Sequence, residues 1–288
     1  MATVRRPLKV LLLPRVGDES RRTGPKRPLF SRTLDLLILQ ITIIIPALNE
    51  RNKIERDLES AHAFLTRAGL EGEIIVVTDG STDDTSAVAA AMSERVKALR
   101  VLPQTTQRGK GAAVKRGVAS AQGAIIMFAD AGLCVPFEDA LQGIALLDAQ
   151  ACELAHGSRS DPKTVLLRVQ PLWRQVGSRL FRHLIYLAMG IPRTIGDTQC
   201  GFKLYRADIA RDLYANLFTE GYMFDIEIIL RAVKRGYRIA GFPVRWTNDA
   251  DSRYHPIKGT IQILSQLIQI RLRLATEAAP ARSLAPVE

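Results

Sequence analysis

The sequence predicts an α/β fold in which a mostly parallel sheet carries helices on both faces. Two runs of β-branched residues, at 41–45 and 74–77, are too short for free-standing helices and stop on polar turn residues. This is the pattern of strands buried on both faces of a parallel sheet. Helical and strand patterns then alternate at the spacing of βαβ units. Ligands bind at the carboxyl ends of such strands, so the polar residues after each run are the first candidates for a site.

The elements follow one another regularly up to about residue 150. The pattern predicts helices over residues 50–68, 84–95, 111–121 and 137–148, and strands over 74–77, 99–102 and 125–128, the last ending in Asp130. From about Asp161 the segments become longer, basic and amphipathic, with helices predicted over 169–190, 209–217, 225–235 and 258–274. This change divides one predicted domain, residues 39–275, into halves at 39–160 and 161–275.

Composition fits a single domain between two tails. A chain of 288 residues with 47% hydrophobic residues can bury one substantial core. Residues 1–38 form a predicted basic extension, because the first 40 residues hold nine Lys or Arg against three acids; residues 276–288 form a flexible tail. Such an extension attracts anionic lipid or nucleic acid. It lacks the aromatic residues of a base-stacking surface, so nucleic acid is not an expected partner. A disordered extension or a misassigned start codon would explain it equally well.

The loop after the second run is dense in groups that bind a nucleoside. Residues 79–85, DGSTDDT, supply carboxylates, hydroxyls and a glycine that lets the backbone approach a ligand. The same residues could form an Asx-turn and a helix N-cap. For Asp83 and Thr85 we favour this second, structural interpretation.

Together with the segment ITIIIPALNE at residues 41–50, this loop resembles the family 2 glycosyltransferases. The resemblance implies the GT-A fold, a Rossmann-like sheet that binds a nucleotide-sugar at this edge. It implies that Glu50 and Asp79 hold ribose and base. It also implies donor contacts from residues beside them: Pro46, Ala47, Asn49 and Ser81.

The segment FADAG at residues 128–132 lies where this family carries an Asp-any-Asp metal signature. By the resemblance, Asp130 binds Mg²⁺ or Mn²⁺ and, with Ala131, contacts the donor; the cation would neutralise charge on the leaving diphosphate. Gly132 stands in place of the second acid. We therefore expect weaker metal affinity, or an acid from elsewhere that completes the ligand shell. Asp130 could alternatively be a strand-end cap.

Residues 107–111, QRGKG, open the helix before that strand. Their cations and N–H groups suit a diphosphate or a nucleoside, although this signal alone is weak. Similar segments of the family lie beside the donor, so the resemblance favours Arg108 and Lys110 as donor contacts over a solvated helix start. The glycines do not form the dinucleotide fingerprint, which argues against an NAD-dependent dehydrogenase.

The motif DTQCGFK at residues 197–203 resembles the signature of the dolichyl-phosphate glucosyltransferase branch, and FDIE at 224–227 opens a helix as in that branch. The resemblance makes Asp197 and Asp225 the candidate catalytic residues. It assigns the acceptor and its phosphate to four further residues: Gln199, Lys203, Glu227 and Arg253. A phosphate acceptor is largely dianionic at neutral pH, so Asp197 could position it rather than remove a proton. Helix-dipole complementation is the structural alternative for Asp225 and Glu227.

Two basic amphipathic segments, residues 169–190 and 261–273, have the residue mixture of interfacial helices, although packing on the sheet explains each equally well.

The resemblance implies an inverting enzyme that moves a hexose, with UDP-glucose favoured over GDP-mannose as donor, to a polyprenyl or dolichyl phosphate at the membrane surface. Three widely spaced cysteines fit a reducing compartment, hence the cytoplasmic face. The alternatives are a soluble or glycolipid hydroxyl acceptor, and a catalytically silent nucleotide-sugar-binding protein.

Overall fold

The computed structural model describes residues 40–167, 177, 185–248 and 256–277. Its strands are, in chain order, β1 (Ile41–Ala47), β2 (Gly72–Asp79), β3 (Leu99–Gln104), β4 (Ile125–Ala129), β5 (Leu154–Ser158), β6 (Val165–Leu166), β7 (Phe202–Arg206), β8 (Ile239–Pro243) and β9 (Arg245–Trp246). Its helices are α1 (Ile54–Ala68), α2 (Thr85–Ala91), α3 (Lys110–Ser120), α4 (Ala140–Asp148), α5 (Ala207–Ala215), α6 (Phe224–Lys234) and α7 (Pro256–Thr276).

The central sheet has seven strands in the order β3-β2-β1-β4-β7-β5-β8, and β6 pairs with β9 in a separate ribbon. The pairs β1–β2, β2–β3, β1–β4 and β5–β8 are parallel, whereas β7 runs antiparallel to both of its neighbours. The predicted mostly parallel sheet is confirmed. Strands from both halves of the chain alternate within it, because β7 of the second half lies between β4 and β5 of the first.

Helices cover both faces of this sheet, as predicted. On one face α3, α5, α6 and α7 pack in a cluster with Ile44 and Phe128; on the other α1, α2 and α4 pack with Ile43 and Ile45. Neighbouring residues of β1 therefore enter opposite cores, since side chains alternate along a strand. This is why residues 43–45 are three consecutive isoleucines and not an alternation of apolar and polar residues.

The helix boundaries differ from the predictions by a few residues. The helix predicted from residue 50 begins at Ile54, because residues 51–53 form a turn. The helix predicted over 84–95 is α2 followed by a 3-10 turn, Met92–Glu94. Helices α5, α6 and α7 agree with the predicted segments within two residues. Most of the segment 169–190, residues 1–39 and residues 278–288 lie outside the described residues.

The sequence pattern did not predict β5, β7 and β8. The segment LAHGS of β5 holds Ala, Gly and Ser, which favour strands weakly. In β7, FKLYR, a lysine stands at a fully buried position. Tertiary contacts decide β5 and β7, because each of these two strands has a hydrogen-bonded neighbour on both sides within the sheet.

Candidate active site

A cavity of about 820 Å³ opens at the edge where β1, β2 and β4 end. Most of the predicted donor residues line it, together with one predicted acceptor residue: Pro46, Ala47, Glu50, Asp79, Arg108, Lys110, Asp130, Ala131 and Gln199. Residues 218–222 of the loop before α6, Arg159, Trp246 and two glutamines of α7 also line it. The parallel topology brings these residues together, since the carboxyl ends of parallel strands share one edge.

Asn49 and Ser81 join the loops that follow β1 and β2. The backbone N–H of Asn49 donates to Ser81 Oγ at 3.0 Å, and the N–H of Thr82 donates to Asn49 Oδ1 at 2.7 Å. Asp83 Oδ1 accepts from the Thr85 N–H at 3.0 Å, so the Asx-turn interpretation of this pair is confirmed. The hydroxyl of Thr85 accepts a hydrogen bond from the N–H of Glu50 at 2.7 Å, and this contact fixes the backbone of Glu50 at the cavity wall.

Asp79 borders the cavity and also organises the loop above it. Its buried carboxylate accepts the backbone N–H groups of Arg108 and Gly109, both at 2.8 Å, and the Gln104 side-chain amide at 3.1 Å. Gly109 has φ +123°, and a Cβ there would collide with the carbonyl oxygen of Glu220. The loop at residues 108–109 is thus bound by the Asp79 carboxylate on one side and packed against the backbone of Glu220 on the other.

Asp130 and Lys110 form an ion pair at the wall of the cavity, with Oδ1 and Nζ 2.5 Å apart. The Asp130 N–H donates to the carbonyl oxygen of Gly201 at 2.9 Å, and a Cβ at Gly201 would overlap the Asp130 carboxylate. Burial alone would lower the pKa of the Lys110 ammonium, but the carboxylates of Asp130 and Asp225 outweigh burial and raise it. Lys110 is therefore a charged group at neutral pH.

Gly132, which replaces the second acid of the signature, is conformationally constrained. Its φ is +96°, a backbone conformation that residues with a Cβ rarely adopt. Its N–H donates to Oδ2 of Asp57, which lies on α1, at 2.5 Å. Burial is the main reason that the pKa of Asp57 is raised, to about 6. Sequence reasoning missed Asp57, although an acid on the apolar stripe of α1, between Ile54 and Leu58, was the signal for it.

The predicted catalytic Asp225 lies behind the cavity wall and does not line it. Its Oδ1 is 2.6 Å from Lys203 Nζ, and both side chains are buried. The same ammonium donates to the carbonyl oxygen of Cys200 at 2.7 Å. Burial raises the pKa of Asp225, although Lys203 and Lys110 oppose that shift. The structure thus places Lys203, a predicted acceptor contact, in a buried ion pair that connects β7 with α6.

Glu227 is likewise fully buried, and its contacts are internal. Its carboxylate accepts the N–H groups of Phe218 and Thr219, at 3.2 and 2.9 Å, and Nε of Arg231 at 2.8 Å. These contacts hold the loop whose next residues line the cavity. Arg253, the remaining predicted phosphate contact, lies outside the described residues.

Asp197 is buried and binds Arg159, a residue that sequence reasoning missed. Its two oxygens accept Nε and Nη2 of Arg159 at 2.6 and 2.9 Å, and Oδ2 also accepts the backbone N–H of that residue. Arg159 lines the cavity, and its guanidinium lies 5.7 Å from the ring of Trp246. Burial opposes the charge of Arg159, but Asp197 raises its pKa above the ordinary value. The only signal in the sequence was a cation directly after β5, a strand that was itself not predicted.

Within the part of the chain that the structure describes, no three His, Cys, Asp or Glu residues are grouped so as to hold a metal ion. Mg²⁺ in phosphate-binding sites is often held by one or two carboxylates together with the phosphates of the substrate. The Asp130 carboxylate is about one-third exposed at the cavity wall. It therefore fits a cation that shares its ligand shell with a diphosphate.

A model of Glycosyl transferase family 2 matches residues 42–214. The chain belongs to this family. It is 34% identical over 247 residues to a dolichyl-phosphate beta-glucosyltransferase of Drosophila melanogaster, covering 82% of this chain and 75% of the relative. It is 30% identical over 251 residues to a Homo sapiens protein of the same name, covering 83% and 77%. Membership of family 2 makes this protein a glycosyltransferase.

The fold agrees with that assignment. The structure of glucosyl-3-phosphoglycerate synthase from Mycobacterium tuberculosis, crystallised with Mn²⁺, UDP and glucosyl-3-phosphoglycerate, matches with a TM-score of 0.59 at 22% identity, covering 81% of this chain and 79% of that one. The predicted GT-A fold is confirmed.

We predict that Asp57→Asn stabilises the protein near neutral pH. The folded pKa of about 6 lies above the ordinary 3.8, so this group's contribution is complete below about pH 3.8 and is lost as the pH rises through about 6. At about pH 7.5 the charged carboxylate costs up to about 3 kcal/mol, whereas Asn keeps an acceptor for the Gly132 N–H. Urea unfolding should show a gain that shrinks below about pH 5. Asp208→Asn, an exposed acid on α5, is the control; an equal gain at all pH values would contradict the prediction.

We predict that Gly132→Asp does not restore a two-acid metal site. The φ of +96° at Gly132 is a conformation that aspartate adopts poorly, so a carboxylate introduced there does not reach a ligand position without backbone strain. The substitution should cost about 1–3 kcal/mol through backbone strain. Differential scanning calorimetry and Mn²⁺ titration measure the two effects. Unchanged stability together with tighter Mn²⁺ binding would show that the loop adapts to the new side chain.

Proposed function

We propose that this enzyme is an inverting glycosyltransferase that moves glucose from UDP-glucose to a polyprenyl phosphate of the dolichyl type, at the cytoplasmic face of a membrane. The observation that carries the proposal is one cavity with carboxylates at the strand ends and, elsewhere in its wall, an arginine held in place by a buried acid. The relatives named dolichyl-phosphate beta-glucosyltransferase support the acceptor and the sugar. The neighbour that was crystallised with UDP and Mn²⁺ supports the donor and the cation.

The donor side of the cavity suits a nucleotide-sugar. Glu50 and Asp79 present carboxylate oxygens at the ends of β1 and β2, and such oxygens accept the hydroxyls of ribose and the N–H of a base. The N-terminus of α3 begins at Lys110 in the same wall, and a helix N-terminus favours a phosphate. The size of the cavity, about 820 Å³, is within the range of small-molecule sites.

Asp130 would hold the divalent cation, Mg²⁺ or Mn²⁺, together with oxygens of the diphosphate. When bound, that cation stabilises the negative charge of the leaving nucleoside diphosphate. Lys110 and Arg108 add positive charge in the same wall. These residues therefore bind the part of the donor that departs.

Arg159 is our candidate for the acceptor phosphate. A guanidinium has five N–H donors, and Asp197 accepts one from Nε and one from Nη2. The remaining donors belong to a rigid fork whose orientation Asp197 fixes, the geometry that binds phosphate oxygens well. A phosphate acceptor with a second pKa of about 6 is already deprotonated at neutral pH. It needs no general base, so we assign Asp197 as a positioning residue for Arg159.

One face of α7 suits the surface of a membrane. Leu264, Ile268 and Leu272 recur every four residues and are 53%, 60% and 63% exposed. Leu187, which precedes a residue that accepts a hydrogen bond from Arg271 of α7, is 61% exposed. The opposite face of α7 is buried in the core, while Gln266 and Gln269 line the cavity. No helix in the described residues is long and apolar enough to cross a bilayer. A helix lying in the interface would bring the cavity close to a lipid-linked phosphate.

The function is tested by incubating the full chain with Mg²⁺ or Mn²⁺, radiolabelled UDP-glucose and a polyprenyl phosphate in detergent. We expect a labelled, acid-labile lipid, little product from GDP-mannose, and none with a polyprenol that lacks the phosphate. Product with a hydroxyl acceptor only would favour the alternative glycosyltransferase. Neither transfer nor donor hydrolysis would indicate a silent binding protein.

In that assay Arg159→Met should raise the KM for the polyprenyl phosphate by about tenfold or more, because a hydrogen bond to a charged group contributes about 1.5–3 kcal/mol. The KM for UDP-glucose should change little. Arg95→Met is the matched control, since Arg95 is exposed and pairs with Glu55 and Glu59 on α1. An unchanged acceptor KM would remove Arg159 from the acceptor site.

We predict that the double substitution Leu264→Gln and Ile268→Gln weakens vesicle binding by at least about tenfold, since each buried aliphatic side chain contributes about 1.5–3 kcal/mol. Co-sedimentation with vesicles that contain an anionic phospholipid measures it. Leu141→Gln, at an exposed leucine on α4, is the control. Wild-type binding by the double variant would exclude this face as the membrane contact.

A further inference from the structure

We propose that Lys110 is an internal counter-ion of Asp130, which competes with a divalent cation for that carboxylate and makes cation binding depend on the diphosphate. The inference rests on the proposed nucleotide-sugar donor but not on the identity of the acceptor. It concerns the order in which the cavity fills, and it assigns Lys110 as the residue that sets that order.

The geometry of the pair supports this role. Lys110 Nζ lies 2.5 Å from Asp130 Oδ1, and the two side chains are 20% and 35% exposed at the cavity wall. The ammonium also lies 5.6 and 5.8 Å from the ring centres of Phe128 and Phe224. Beside these aromatic faces the ion pair is partly shielded from water, where the attraction between opposite charges is stronger than on an exposed surface.

A second pair behind the first leaves no surplus negative charge. Lys203 and Asp225 are paired at 2.6 Å, and Lys203 Nζ lies 5.2 Å from the same Phe128 ring. The two ammonium groups therefore lie against one ring, and each is paired with its own carboxylate. A site with two unpaired acids would attract a dication, but this cluster sums to zero charge.

The other three carboxylates in the wall are also engaged. Glu50 lies 3.3 Å from Lys53 Nζ, and Asp79 accepts the two N–H groups of residues 108 and 109. Glu220 is paired with the guanidinium of Arg108. A dication that enters without a diphosphate must therefore displace an ammonium from Asp130. We conclude that the empty cavity binds such a cation weakly.

A diphosphate changes this balance. It brings negative oxygens to the wall that Lys110 lines, so the ammonium can exchange a carboxylate partner for a phosphate partner. Asp130 is then left to the cation, and the phosphate oxygens supply further ligands. By linkage, the diphosphate must raise the affinity for the cation by the factor by which the cation raises the affinity for the diphosphate.

The test measures Mn²⁺ binding to the full chain directly, by the electron paramagnetic resonance signal of free Mn²⁺, with and without UDP. We expect weak binding alone and binding at least about tenfold tighter with UDP. Lys110→Met should tighten binding without UDP by about tenfold or more, because a nearby positive charge is removed, and should reduce the effect of UDP. Adding Asp130→Asn to that variant should abolish the gain.

Lys115→Met is the matched control, because it removes the same charge from the same helix, where Nζ of Lys115 donates to the carbonyl oxygen of Leu217. Melting curves confirm that each variant folds, and Lys110→Gln replaces the Met variant if it does not. Equal Mn²⁺ affinity in wild type and the Lys110 variant would overturn the proposal, as would tight Mn²⁺ binding by the wild type without UDP. The transfer assay reads the function separately, so a protein that couples Mn²⁺ to UDP but transfers no glucose would retain this inference alone.

Discussion

The buried ion pair between Lys203 and Asp225 is the interaction on which the second half of the structure depends. Lys203 stands in β7, between two other strands, where its side chain has no contact with solvent. An unpaired ammonium there would cost several kcal/mol. Asp225, in the first turn of α6, pairs with this ammonium and so removes the cost. The pair fixes α6 against β7, which in the central sheet as described is the only strand antiparallel to both of its neighbours. The loop before α6 then forms part of the cavity wall.

Acids in this protein organise loops more often than the motifs suggest. Asp79 binds two N–H groups of the loop above the cavity, Glu227 binds two in the loop before α6, and Asp57 binds the N–H of Gly132. Each carboxylate satisfies backbone donors that lie outside any helix or sheet, a demand that every buried loop must meet. Several acids in the family motifs therefore shape the cavity, whether or not they also touch a ligand.

The cavity separates two kinds of positive charge. Lys110 is paired with Asp130 in the cavity wall. Because the lysine side chain is flexible, a phosphate can compete with Asp130 for the ammonium group. Arg159 is held by Asp197 through a two-point contact and lies against Trp246, so its orientation is set before any ligand arrives. Under the proposed function, the ammonium of Lys110 would bind the departing diphosphate, and the fixed guanidinium of Arg159 would align the acceptor phosphate for attack.

The sequence by itself determined the parallel part of the sheet and the meeting of Glu50, Asp79 and Asp130 at its edge. Runs of β-branched residues specify strands buried on both faces, and the topology of βαβ units then brings their ends together without any further information. The tertiary structure alone decided that LAHGS and FKLYR are strands, because the small residues of LAHGS favour strands weakly and FKLYR carries a lysine at a fully buried position, while neighbouring strands supply the hydrogen bonds of both. It also decided that Asp197 binds Arg159 across 38 residues and that Gly132 has a positive φ. Contacts between residues so distant in the chain leave no periodic trace in it, since they depend on how the finished elements pack.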